Sequence, residues 1–122
     1  MWELEPHEEY ERRHRKWPKK YKRELLAMLH NLDVFLKALQ GGQKPREAKF
    51  GFIHVEPCGV LAIDQKGAGA GVKESRLYVY PDEANECVRL ITLGDKDSQK
   101  EDIQTCTCFI ETLRKEGATQ VA

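Results

Sequence analysis

Arg76, Tyr78 and Tyr80 occupy alternate positions of the stretch RLYVY, and Lys96 follows in GDKDSQKEDI. A strand turns alternate side chains to one face. The spacing therefore predicts Arg76, Tyr78 and Tyr80 on one side and Leu77 and Val79 on the other. An arginine offers phosphate a planar fork of donors, and a tyrosine ring stacks on an unpaired base. Arg89 lies on the returning strand and joins this face if the register allows. Lys96 stands in a turn between a strand and a helix, among Asp95, Asp97 and Gln99. A cation there can offset charge that grows on a phosphate in a transition state. The same polar residues also suit a plain turn and helix cap, with Ser98 as the predicted cap and Glu101 three residues on. His54 shares strand parity with Glu56, and a histidine–carboxylate pair works as acid or base near neutral pH.

Together these groups suit RNA cleavage without a metal. A base takes the proton of a 2′-hydroxyl, which attacks the neighbouring phosphorus. Cations stabilise the equatorial oxygens, and an acid serves the leaving 5′-oxygen. Arg76, Arg89 and Lys96 supply charge, and His54 or a tyrosine handles the proton. No H-E-x-x-H or H-x-x-x-H occurs, so no catalytic metal is expected. His7 and His14 lie in a polar arm with no evident partner, His30 on the helix border reads as structural or solvent-facing, and Asp64 and Glu74 read as scattered acids. Cys106 and Cys108 point roughly 200° apart around a helix, so with Cys58 and Cys87 they read as small, partly buried thiols. KGAGAGVKE lacks the spacing of a nucleotide loop and reads as a mobile connection. No cofactor is expected.

The elements that must position these groups follow from pattern. The 122 residues, 40% apolar and 33% charged, fit one globular domain over 1–122. Residues 1–17 are polar and form an arm or a helix. The segment ERRHRKWPKKYKR holds eight Lys or Arg and one Glu. Lys19 and Lys20 there are candidates for contacts to an RNA backbone, although the net charge of zero weakens non-specific binding. From Tyr21 the apolar stripe Leu25, Met28, Leu29, Leu32, Phe35, Leu36 and Leu39 predicts a helix stopped by Gly41-Gly42. FGFIHVEP and CGVLAIDQ read as short strands, and PDEAN reads as the turn between Arg76–Tyr80 and Glu86–Leu93. The returning strand is apolar at both parities, which predicts a central position covered on both sides over part of its length. Ile103, Cys106, Phe109, Ile110 and Leu113 mark a final helix.

The expected fold is α+β: a small twisted antiparallel sheet of three to four strands, with N-terminal helices and a C-terminal helix packed on one face. The other face is expected to stay open, lined by Arg76, Tyr78 and Tyr80. No apolar run spans a membrane and MWELEPHEEY has no signal-peptide core, so a cytoplasmic location is expected.

The segment from Arg76 to Ile103 resembles the end of RelE/HigB-like toxins of bacterial type II toxin–antitoxin pairs, in the RelE/ParE superfamily. That pattern is a strand with Arg and Tyr, a hairpin, a second strand and an entry into the last helix. The entry positions here are Gly94, Lys96, Gln99, Asp102 and Ile103. The resemblance implies a RelE-like core over 18–115 and a metal-independent endoribonuclease that cuts messenger RNA on the ribosome. It also implies a cognate antitoxin that blocks the site; self-association as a homodimer is left open. Arg76 then matches the phosphate-binding arginine and Lys96 the basic residue after the last strand. Tyr78 and Arg89 are looser matches, and Gln99 joins the RNA contacts. The same resemblance admits a gyrase-directed relative or a non-catalytic binding protein. The neutral charge, the acidic N-terminal arm and the longer Gly-rich loop depart from the family pattern.

Overall fold

The computed structural model describes residues 1–121. Five strands form one sheet in the order β1-β5-β4-β3-β2, with three α-helices against it. The strands are β1 (Glu3–Pro6), β2 (Ile53–Val55), β3 (Leu61–Asp64), β4 (Ser75–Asp82) and β5 (Cys87–Asp95). The helices are α1 (Glu8–Arg15), α2 (Lys22–Gln40) and α3 (Gln99–Val121). The α+β class holds, but the strand count exceeds the expected three to four. The extra strand is β1, which runs parallel to β5 with Glu3 opposite Cys87 and Pro6 opposite Leu90. Its four residues are all exposed at the sheet edge, so no hydrophobic alternation marks it in the sequence. The sheet is consequently mixed rather than purely antiparallel. The N-terminal segment is also more than an arm, because Trp2 and Tyr10 are buried in the main core.

Helix α2 lies where its stripe predicts. Leu25, Met28, Leu32, Phe35 and Leu39 bury against Ile63, Leu77, Val79 and Leu93. Gly42, at φ +103°, turns the chain off the helix. The second layer overturns the expected open face. Helix α3 packs on the opposite side, where Cys106 and Ile110 join Val60, Ala62, Tyr78 and Ile91. The reason lies in β5. Tyr78 pairs with Thr92 but Val79 pairs with Leu90, so Ile91 is an extra residue at a bulge. That bulge, with burial on both faces, explains why β5 is apolar at both parities.

Helix α1 finishes the β5 edge. Beyond the end of β1, His7 N donates to Leu90 O at 3.0 Å and Arg13 Nη1 to Leu93 O at 3.0 Å. These bonds occupy carbonyls that an open edge would expose.

The turn GDKDS seats α3. Asp95 caps the 3-10 turn Lys96–Ser98 that leads into α3, its side chain accepting from Asp97 N and Ser98 N. Ser98 Oγ instead donates to Asp102, at 2.7 Å from Oδ2. The Asp102 carboxylate is fully buried and lies 3.2 Å from Arg13 Nη2. It occupies the space over Gly94, where a Cβ would collide with Asp102 and Ser98. Gly94 therefore lets a buried carboxylate sit directly on the strand. Gly94→Ala is expected to destabilise the protein by about 2 kcal/mol or more in urea unfolding, through overpacking against fixed groups. Gly117→Ala, a helix position with nothing within 4 Å of a Cβ, should be neutral or stabilising by up to about 1 kcal/mol.

Candidate functional site

The C-terminal ends of β3 and β5 and the N-terminal end of β4 meet at one rim of the sheet. Arg76 is opposite Asp64 on one side and Gly94 on the other. Lys96 N donates to Glu74 O at 3.0 Å, which brings Lys96 beside the start of β4. The backbones carrying Arg76 and Lys96 are therefore neighbours.

His54 has a carboxylate partner, but it is Asp64 and not Glu56. His54 Nε2 lies 2.7 Å from Asp64 Oδ2. The antiparallel register places His54 opposite Ala62, two residues from Asp64. Asp64 Oδ1 accepts from Lys66 N at 2.8 Å, so the carboxylate is held at both oxygens. This arrangement fixes the Nε2–H tautomer and leaves Nδ1 as the basic nitrogen. The His54 side chain is 41% exposed, so the ring is accessible.

Arg76 is mostly sequestered. Its Nη2 donates to Glu74 Oε1 at 3.0 Å, while Nη1 is buried with no acceptor. Lys73 is also paired, 3.2 Å from Asp95 and 3.1 Å from Asp97. These bonds, Asp97 first and Asp95 second, raise the Lys73 pKa above its ordinary value. Burial pushes the Asp95 carboxyl up, but Lys73 and the backbone N–H groups of Asp97 and Ser98 outweigh it and leave its pKa lowered. Lys20 and Lys73 both lie against the Tyr21 ring, at 5.1 and 5.2 Å from its centroid. Through Lys73 and Tyr21, the segment bearing Lys19 and Lys20 reaches the same end of the molecule. Lys19, Lys20 and Lys96 are exposed, and Gln99 is half-buried on the first turn of α3.

The remaining expected residues do not join this rim. Tyr78 is only 1% exposed beneath α3, so it cannot stack on a base. Its hydroxyl has no acceptor, and burial first, then Asp102 and Glu56, push its pKa far above the ordinary phenol value. Tyr80 pairs with Arg89, four positions along β4 from Arg76. That is about 13 Å at the rise of a strand. Arg89 is locked into a separate network. It donates to Asp82 Oδ2 at 3.0 Å and to Glu5 Oε2 at 3.1 Å. Arg89 thus ties β5 to the β1 edge and to the hairpin, and it stands apart from Arg76. A cavity of about 320 Å³ beside Gly94, Asp95 and Ser98 approaches the rim, but Arg76, Lys96 and His54 do not line it. The site is an open rim, which fits a polymer better than a small molecule.

Asp64 and Glu74 are the functional candidates that sequence reasoning passed over. Each acquires its role only from register and side-chain reach. Among the described residues, no group of three or more His, Cys, Asp or Glu is placed to hold a metal ion. No helix among them is long and apolar enough to cross a membrane. No family model, no curated protein and no solved structure matches this chain.

The Arg89 network predicts an acid limb in stability. Burial raises the Asp82 carboxyl, but hydrogen bonds from Asn85 and Arg89 outweigh that and its pKa is lowered. A lowered carboxylate stabilises the fold above its unfolded pKa of about 3.9, and the contribution is lost as pH falls through the folded value. Asp82→Asn should cost about 1.5–3 kcal/mol at pH 7, as expected for charge-assisted hydrogen bonds. Chemical unfolding should show the difference from the native protein shrinking below about pH 4.

Proposed function

We propose that this chain is a RelE/HigB-like toxin: a metal-independent endoribonuclease that cuts messenger RNA and is neutralised by a cognate antitoxin. One observation carries the reading. His54, oriented by Asp64, lies two strands from Arg76 on an open rim that also bears Lys96. Two inter-strand spacings with a two-residue offset along the strands come to about 12 Å, a span that side chains reaching toward each other can bracket around a sugar–phosphate. The helix–sheet–helix order and the GDKDSQKEDI segment support the same family.

His54 Nδ1 takes the 2′-hydroxyl proton as the 2′-oxygen attacks the adjacent phosphorus. Arg76 offsets the charge on the equatorial oxygens. The bond to the 5′-oxygen breaks beside Lys96, and that oxygen takes its proton from solvent. The products are a 2′,3′-cyclic phosphate and a free 5′-hydroxyl. A chain with net charge zero gains little from counterion release on free RNA. Action on message already positioned by the ribosome suits that balance. A second reading, a non-catalytic binding protein of the same fold, is favoured by a specific feature. Arg76 and Lys73 already hold carboxylate partners, and Tyr78 is buried.

Expression of the native chain should arrest growth with cleaved messages, and His54→Ala should lower the cleavage rate by about 100-fold or more. Arg76→Ala should have a comparable effect while the fold, followed by circular dichroism, persists. Cleavage should survive a chelator, because every charge in the scheme comes from side chains. Arrest with intact messages and blocked DNA replication would instead point to gyrase. Intact RNA without arrest would favour the binding protein.

A further inference from the structure

Glu74 holds Arg76 in an incomplete way. Glu74 lies just before β4, two positions ahead of Arg76. The Glu74 carboxylate reaches Nη2 of Arg76, and Nη1 stays buried without an acceptor. A guanidinium is best satisfied by two parallel bonds to one oxyanion, and a carboxylate tethered two residues ahead of it gives it a single bond. The Glu74 side chain is 46% exposed and its only partner among the described residues is Arg76. It can leave without disturbing the core, and its backbone carbonyl keeps the bond from Lys96 N. Lys96 is exposed beside it.

We infer that Glu74 is a built-in competitor for the phosphate position on Arg76. A phosphate group binds by displacing the Glu74 carboxylate from Nη2, so Glu74 sets the affinity of the rim for RNA. This deepens the reading above and rests on its assignment of Arg76 to phosphate. The device lowers affinity for any single phosphate. It thereby favours a ligand that brings several phosphates, such as an RNA strand that also meets Lys96, over free inorganic phosphate.

The test is titration of the full chain with a 2′-O-methyl oligoribonucleotide and, separately, with inorganic phosphate, followed by NMR of the arginine side chains. Glu74→Gln should bind the oligonucleotide about tenfold more tightly, the scale of one charge-assisted hydrogen bond. Asp97→Asn removes a more exposed negative charge from the same rim without touching Arg76, and should gain about twofold or less. In Glu74→Gln/Arg76→Lys the gain should vanish, since lysine has no donor at the position of Nη2. Equal gains in Glu74→Gln and Asp97→Asn, no gain in Glu74→Gln, or a gain that survives Arg76→Lys would each overturn the inference. Cleavage of unmodified RNA, measured in parallel, separates the two claims. Native cleavage with unchanged Glu74→Gln affinity removes the competitor alone. Tighter binding in Glu74→Gln without cleavage in either protein removes the nuclease reading and leaves the competitor standing.

Discussion

The architecture depends on one buried carboxylate. Asp102 has no exposed surface, yet it sits on the sheet over Gly94 between Ser98 and Arg13. Burying an ion costs several kcal/mol unless charge and hydrogen bonds compensate it. Burial does raise the Asp102 pKa, while the bond from Ser98 and the charge of Arg13 work against that rise. The same group fixes three things together: where α3 begins, which face it covers, and where α1 lies along β5 through Arg13. Because Asp95 caps the turn and Lys73 bonds Asp95, the seating of α3 also sets the charge arrangement at the rim.

At the rim, basic side chains are presented already matched with carboxylates: His54 with Asp64, Arg76 with Glu74, Lys73 with Asp95 and Asp97. The pairs differ in consequence. Asp64 is itself anchored by Lys66 N, so it orients the His54 ring durably. Glu74 has no such anchor. The Arg89–Asp82–Glu5 set is nearly closed to solvent at Arg89 and Asp82, and it holds the hairpin and β1 together. Similar residue types thus form partly exposed pairs at one end of the sheet and a cohesive network at the other.

Much of this was legible in sequence where local periodicity carries the signal. The Leu25–Leu39 stripe defines α2, and the alternation of Arg76–Tyr80 defines β4 with Leu77 and Val79 facing α2. The apolar character of β5 at both parities already implied cover on two faces, although α3 was not expected to supply it. The segment Glu3–Pro6 gave no strand signal, because an exposed edge strand needs no apolar face and its parallel partner lies more than 80 residues away. The site was legible only in part. Register decided that Asp64 and not Glu56 meets His54, and that Arg89 falls opposite Tyr80 rather than beside Arg76. Within GDKDSQKEDI, Gly94 and Asp102 prove architectural, while Lys96 remains exposed to solvent and Gln99 half so. The segment that carries the family resemblance therefore speaks first to fold.

The central claim is that RNA lies on the rim between His54 and Lys96. Its most direct measurement is the map of amide and side-chain NMR shifts that a non-cleavable 2′-O-methyl strand produces on the native chain. The account predicts shifts concentrated at His54, Asp64, Glu74, Arg76, Lys96 and Gln99. Shifts centred instead on Tyr80 and Arg89, or spread over the basic face of α1 with the rim unmoved, would contradict it.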